Sequence, residues 1–124
     1  MDKRDIERLK KDFEFLETDV LAVVVYGSRA KGEDTERSDT DICIVAPGAD
    51  TSKIYRETLH LNYDIKIFEI MPLYLKAEVI ESHEIVYTRD ILDFYEYLYF
   101  FRKLWKDQEH RQHITKEEAL RMFE

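Results

Sequence analysis

The sequence predicts an α/β (α+β) fold: a small mixed β-sheet with helices packed on it and a long helix towards the C-terminus. Three observations lead there. Short apolar, β-branched runs alternate with stretches whose apolar residues recur every three or four positions. Gly and Pro punctuate the ends of these runs. The chain has 124 residues, 44% of them apolar, with 8 Tyr, 7 Phe and 1 Trp to bury, which suits one compact unit around one core. The expected organisation is a single domain over 1–124, with a core from 18 to 90 and a helical extension from 90 to 124.

Each element follows from local pattern. Residues 2 to 17 read as an amphipathic helix, with Ile6, Leu9, Phe13 and Leu16 on one face. "DVLAVVVYG" is too short and too β-branched for a helix; its unbroken apolar run suits a strand covered on both faces and ended by Gly27. "ICIVA" (42 to 46) is a second strand, closed by Pro47-Gly48. Asp50, Thr51 and Ser52 offer caps for a helix to about Leu61. "YDIKIFEI" (63 to 70) is a third strand, Ile65 and Ile67 alternating with Asp64 and Lys66. Pro72 suits a first helical position, and Leu73, Ala77 and Ile80 stripe the helix behind it. "EIVYT" (84 to 88) is a short fourth strand. A long helix runs from Asp90 to about Glu109, and a capping box of Thr115 and Glu118 opens a last short one.

Charge narrows the function. A formal net charge of −8 disfavours broad contact with a phosphate backbone, so direct nucleic-acid binding is not expected. A nucleotide that brings its own cations fits, since acidic groups then hold metal. One cysteine permits no internal disulfide, the charged opening "MDKRDIERLKKDFEFLE" lacks a signal-peptide core, and no apolar run approaches ~20 residues. A cytoplasmic protein with no membrane contact is the expectation.

The stretch "VVVYGSRAKGEDTERSDTDICIV" carries the chemistry. Asp is a poor strand former, yet Asp39 and Asp41 stand two apart and so share one strand face. Two adjacent carboxylates repel, which raises one pKa unless a cation lies between them. Hard oxygen donors favour Mg2+ or Mn2+ over zinc. Two carboxylates hold metal weakly, and Asp64, out of phase with the apolar residues of the third strand, is the candidate for a third. Gly27 permits positive φ or close backbone approach, and Ser28 offers a hydroxyl and free N–H groups to a phosphate. Arg29, Lys31 and Arg37 read equally as solvated loop charges or phosphate contacts. An anion corner ten residues before an acid pair points to a metal–triphosphate complex, in which two ions about 4 Å apart serve an in-line displacement.

"YGSRAKGEDTERSDTDI" resembles the signature of the polymerase-beta nucleotidyltransferase superfamily, and within it the minimal, MNT-type nucleotidyltransferases. The likeness continues through "YDIKIFEIMP" and "IVYTRD" and covers about 20 to 95; Thr40 stands where a bulkier apolar residue is common. The resemblance implies the polymerase-beta-like fold and transfer of a nucleoside monophosphate to a hydroxyl. It implies that Asp39, Asp41 and Asp64 hold two Mg2+ ions (or Mn2+) and that Asp64 is also the general base. It implies that Gly27 and Ser28 hold the β and γ phosphates of ATP, with Arg29, Lys31 and Ser38 completing the nucleotide contacts. Stand-alone MNT proteins are often antitoxins that add AMP to a tyrosine of a helical HEPN ribonuclease toxin, and the same role is expected here. Neutralisation by stoichiometric binding, or transfer to a small hydroxylated molecule, are the competing functions; the short chain argues against the latter.

The remaining residues have plainer readings. Lys66 shares a face with Asp64 and reads as a structural ion pair before a nucleotide contact. Glu69 alternates onto the opposite strand face. Cys43 reads as a small buried hydrophobe. His110 and His113 read as solvated, and His60 and His83 have no motif context. In "DILDFYEYLYFFRKLWKD", Ile91, Phe94, Leu98, Phe101 and Trp105 form one stripe and Tyr97, Phe100 and Leu104 a second. The second stripe predicts either a crowded core or a docking face for a partner or another copy, through the 90–109 helix.

Overall fold

The computed structural model describes the backbone of residues 2–27 and 40–122, and side chains as far as residue 110. Eight elements are built: α1 (Lys3–Asp12), β1 (Ala22–Tyr26), β2 (Asp41–Val45), α2 (Thr51–Thr58), β3 (Asp64–Ile67), α3 (Leu73–Glu81), β4 (His83–Thr88) and α4 (Ile91–Met122). The strands form one mixed sheet in the order β3-β2-β1-β4. Both partners of β1 run antiparallel to it, and β2 and β3 are parallel. Parallel neighbours need a crossover, and α2 supplies it.

Alternation along the strands divides the core into two layers. Val23 and Val25 of β1, Ile42 and Ile44 of β2 and Ile67 of β3 face α1 and α2, where Leu9, Phe13, Leu16 and Ile54 cover them. Ala22, Val24, Tyr26, Cys43 and Val45 face the other way, against Phe68, Val79, Phe94 and Leu98. Every residue of β1 is therefore buried, as its unbroken apolar run requires.

Several boundaries differ from expectation. The first helix stops at Asp12, and a 3-10 turn over Glu14–Leu16 delivers Leu16 to the core. The second helix ends at Thr58, whose hydroxyl donates back to the Ile54 carbonyl at 2.9 Å. Pro72 lies one residue ahead of α3 in an extended conformation, φ −64° and ψ 154°. The third strand ends at Ile67 and gives way to a 3-10 turn, Phe68–Ile70. Because the strand has ended, Glu69 no longer obeys its alternation, which corrects its expected placement on the opposite strand face. Its carboxylate bridges two layers instead, accepting from the Ala46 amide and from the Tyr97 hydroxyl, each at 2.8 Å.

The helix beginning after Asp90 is a single one of 32 residues, not two. Asp90 caps it, accepting from the amides of Leu92 and Asp93 at 3.0 and 3.2 Å. No Gly or Pro occurs between 91 and 122, so nothing obliges the helix to stop at Glu109, and Thr115 and Glu118 lie within it. Phe94 and Leu98 are buried and Phe101 and Trp105 half-buried, whereas Ile91, placed in the same stripe, is 46% exposed. Tyr97 turns inward to Glu69 and packs on Phe68 and Phe101. Phe100 and Leu104 face outward, as do Leu92, Tyr95 and Tyr99.

The Glu69 bridge gives a testable consequence. Tyr97→Phe leaves a part-buried carboxylate oxygen without its donor and is expected to destabilise the fold by about 1–3 kcal/mol in urea denaturation. A loss well below that range would show that water replaces the hydroxyl.

Candidate active site

Register builds the site. Asp41 is the first residue of β2 and pairs with Asp64, the first residue of β3, across the parallel ladder. Asp41 also stands opposite Tyr26 on β1, and Tyr26 opposite His83 on β4. Cross-strand partners share a face. One end of the sheet therefore presents Asp64, Asp41, Tyr26 and His83 in a row, on the side covered by α3 and α4.

Asp41 and Asp64 face each other across the ladder closely enough to shift each other's titration. Desolvation, then the neighbouring Asp64 carboxyl, raise the pKa of Asp41; Glu78 on α3 adds to the rise. Asp64 moves the other way, first because Lys66 hydrogen-bonds it. The Lys66 ammonium stands 3.1 Å from Asp64 Oδ2, the ion pair expected from the sequence. Burial pulls that ammonium's pKa down, but Asp64 and Tyr26 more than offset it, and the net shift is upward. Tyr26 is pushed up to about 12 chiefly by burial, with the charge of the same ammonium drawing it partly back. Burial likewise pushes the Cys43 thiol up and leaves it an inert core residue, as expected.

Gly27 closes the row. Its φ of +77° disfavours any L side chain, and a Cβ there would lie 3.0 Å from Asp41 Oδ2 and 3.9 Å from Glu78 Oε1. The glycine thus both turns the chain and lets the backbone approach the acid.

Of the expected site residues, Gly27, Asp41 and Asp64 are brought together. Ser28, Arg29, Lys31, Arg37, Ser38 and Asp39 lie outside the described residues, as does the side chain of His113. Among the described residues no group of three or more His, Cys, Asp and Glu side chains is placed to hold a metal ion. The acid pair nonetheless fits a divalent cation: its donors are hard oxygens, they crowd against each other, and among the described residues the Lys66 ammonium is the cation paired with Asp64. Sequence reasoning missed Tyr26, Glu78 and His83. Alternation along β1 could have found Tyr26; nothing in α3 marks Glu78. His83 is held by its ring, with Nδ1 2.8 Å from the Val79 carbonyl oxygen and an edge-on contact to Phe94.

Comparison with known proteins gives this geometry its class. The family described as "Polymerase beta, Nucleotidyltransferase" matches residues 7–92, and the chain belongs to it. It is a nucleotidyltransferase. MJ1547 of Methanocaldococcus jannaschii, a candidate protein adenylyltransferase, is 46% identical over 92 residues, 74% of this chain and 75% of that one. Among solved structures, a chain of a toxin–antitoxin complex with AMP-PNP superposes with a TM-score of 0.68 at 16% identity, covering 91% of this chain and 97% of the other. A chain from the complex of a tri-AMPylated Shewanella oneidensis HEPN toxin with its MNT antitoxin gives 0.65 at 14% identity, covering 94% and 98%. At such identities the likeness is one of fold, and it bears out the expected polymerase-beta-like architecture. No helix among the described residues is long and apolar enough to cross a membrane.

Two substitutions test the site. Gly27→Ala forces a left-handed Cβ against Asp41 and is expected to cost about 1–2 kcal/mol of stability and to displace the carboxylate; unchanged stability and activity would contradict the close approach. Asp41→Asn removes the penalised charge. Between its ordinary value of 3.8 and its raised folded value, Asp41 binds more protons in the folded state than in the unfolded one. Wild-type stability therefore falls as pH rises through that window. The metal-free variant should melt higher than wild type at pH 7.5, and this advantage should vanish near pH 3. A lower melting temperature at pH 7.5 would refute the like-charge account.

Proposed function

We propose that the chain transfers AMP from ATP to a hydroxyl of a partner protein, a tyrosine of a HEPN-type toxin being the leading acceptor, and so acts as an antitoxin. One nucleotidyltransferase domain over 1–124 carries the reaction. The observation that carries this reading is the pairing of Asp41 with Asp64 across the parallel ladder, beside a glycine where an added Cβ would crowd Asp41. The name of the archaeal relative and the HEPN-toxin complexes among the structural neighbours support the acceptor.

In this reading Asp39, Asp41 and Asp64 hold two Mg2+ ions, with Mn2+ able to replace them. Bound there, the ions supply charge neutralisation at the triphosphate and polarisation of the acceptor oxygen. Gly27 and Ser28 receive the β and γ phosphates, Arg29, Lys31 and Ser38 complete the nucleotide contacts, and Asp64 accepts the hydroxyl proton. The acceptor oxygen bonds to the α-phosphorus, the bond to the α–β bridging oxygen breaks, and pyrophosphate leaves. A phenol has an ordinary pKa of about 10, so Asp64 has less to do than with an aliphatic alcohol.

A second reading has its own observation. Leu92 (76% exposed), Tyr99 (59%) and Phe100 (58%) place apolar area on the outside of α4. That surface favours a binding protein that neutralises its partner by stoichiometric contact, or a pairing of two copies. Incubation with a HEPN toxin, Mg2+ and ATP labelled at the α-phosphate separates the readings. Label on a toxin tyrosine, reduced at least a hundredfold by Asp39→Asn or Asp41→Asn, is the expected result. Equal inhibition by wild type and both variants without labelling would establish the stoichiometric reading instead.

A further inference from the structure

The Lys66 ammonium is placed where a cation is wanted. It contacts Asp64 Oδ2 at 3.1 Å, on the sheet face that also carries Asp41 and the buried Tyr26. Asp64 in turn stands opposite Asp41 across the parallel ladder, so one positive charge serves both acids. The ion pair is not sealed in: the side chains of Lys66 and Asp64 are 37% and 48% exposed. A pair so exposed is weakly held, so a divalent ion can displace the ammonium. The long, flexible lysine stem allows the head group to move a few ångströms without disturbing the strand.

We propose that Lys66 is the resident counter-ion of the acid pair: it occupies the cation's place in the nucleotide-free protein, gives way when a metal–triphosphate complex arrives, and transfers its charge to the phosphates. This rests on the reading of Asp41 and Asp64 as metal ligands and goes beyond it. The consequence is ordered loading. A free divalent ion must compete with the ammonium and gains nothing for displacing it. An ion that arrives with a triphosphate provides the lysine with a new anionic partner, so metal and nucleotide bind cooperatively.

The test is a titration of the full chain with Mn2+, reading the free ion by electron paramagnetic resonance, with and without a non-hydrolysable ATP analogue. Wild type is expected to bind Mn2+ weakly alone and more tightly with the analogue. Lys66→Met is expected to bind Mn2+ about tenfold more tightly alone, and to lose most of the enhancement by the analogue. Lys66→Arg should restore weak binding. If Lys66→Met leaves Mn2+ affinity unchanged or weaker while Asp41→Asn abolishes binding, the lysine is a structural partner only and the metal site stands without it. If Asp41→Asn binds Mn2+ as wild type does, or if no protein binds it under either condition, the metal-site reading fails and takes this inference with it.

Discussion

The parallel register of β2 and β3 is the constraint on which the site depends. Two carboxylates do not approach each other unaided. Here Ile42 pairs with Ile65 and Ile44 with Ile67 on the opposite face, packed under α1 and α2. A slip of one residue would turn those isoleucines out of the core, so burial fixes the register and Asp41 must then stand opposite Asp64. The apolar layer on one side of the sheet thus enforces an unfavourable electrostatic arrangement on the other. Each buried aliphatic side chain contributes about 1.5–3 kcal/mol, ample to hold one partly solvated acid pair together.

Once the pair is forced together, its neighbours acquire definite tasks. Gly27 removes the atom that would push Asp41 away, and Lys66 pairs with Asp64. The site stores a modest electrostatic penalty of like charges, and the fold sets it before any ligand appears. The same logic assigns Glu69 to a different role. Its two oxygens are taken up by Ala46 and Tyr97, and it joins the β2 edge to α4 rather than joining the acids.

Much of this was legible in the sequence, for physical reasons. The unbroken apolar run of β1 required two covered faces, and it has them. The two-residue period of "DIKI" put Asp64 and Lys66 on one face, where they form an ion pair. What escaped the sequence was set by tertiary contact. Nothing local announces that the third strand ends at Ile67; a 3-10 turn forms there because Glu69 finds partners 23 residues back and 28 residues ahead. The capping box at Thr115 and Glu118 is real chemistry in the wrong place, since those residues are also tolerated inside a helix that lacks a breaker. Helical spacing left the stripe of Tyr97 open between core and docking face, and the bond of its hydroxyl to Glu69 turns the ring inward. Asp39, the motif's other acid, lies outside the described residues, and its place beside Asp41 remains an expectation from the two-residue spacing.

The central claim is that the acid end of the sheet, and no other acidic surface, is the cation site. A competing groove exists at the far end, where Asp19, Asp50 and Glu57 line a cavity of about 330 Å³ with Lys53. Paramagnetic broadening of backbone amide signals by sub-stoichiometric Mn2+, in the presence of a non-hydrolysable ATP analogue, discriminates between the two directly. The account requires the signals of Tyr26, Gly27, Asp41 and Asp64 to disappear first while those of Gly48 and Lys53 persist. Selective loss of Gly48 and Lys53, with the acid row untouched, would contradict it.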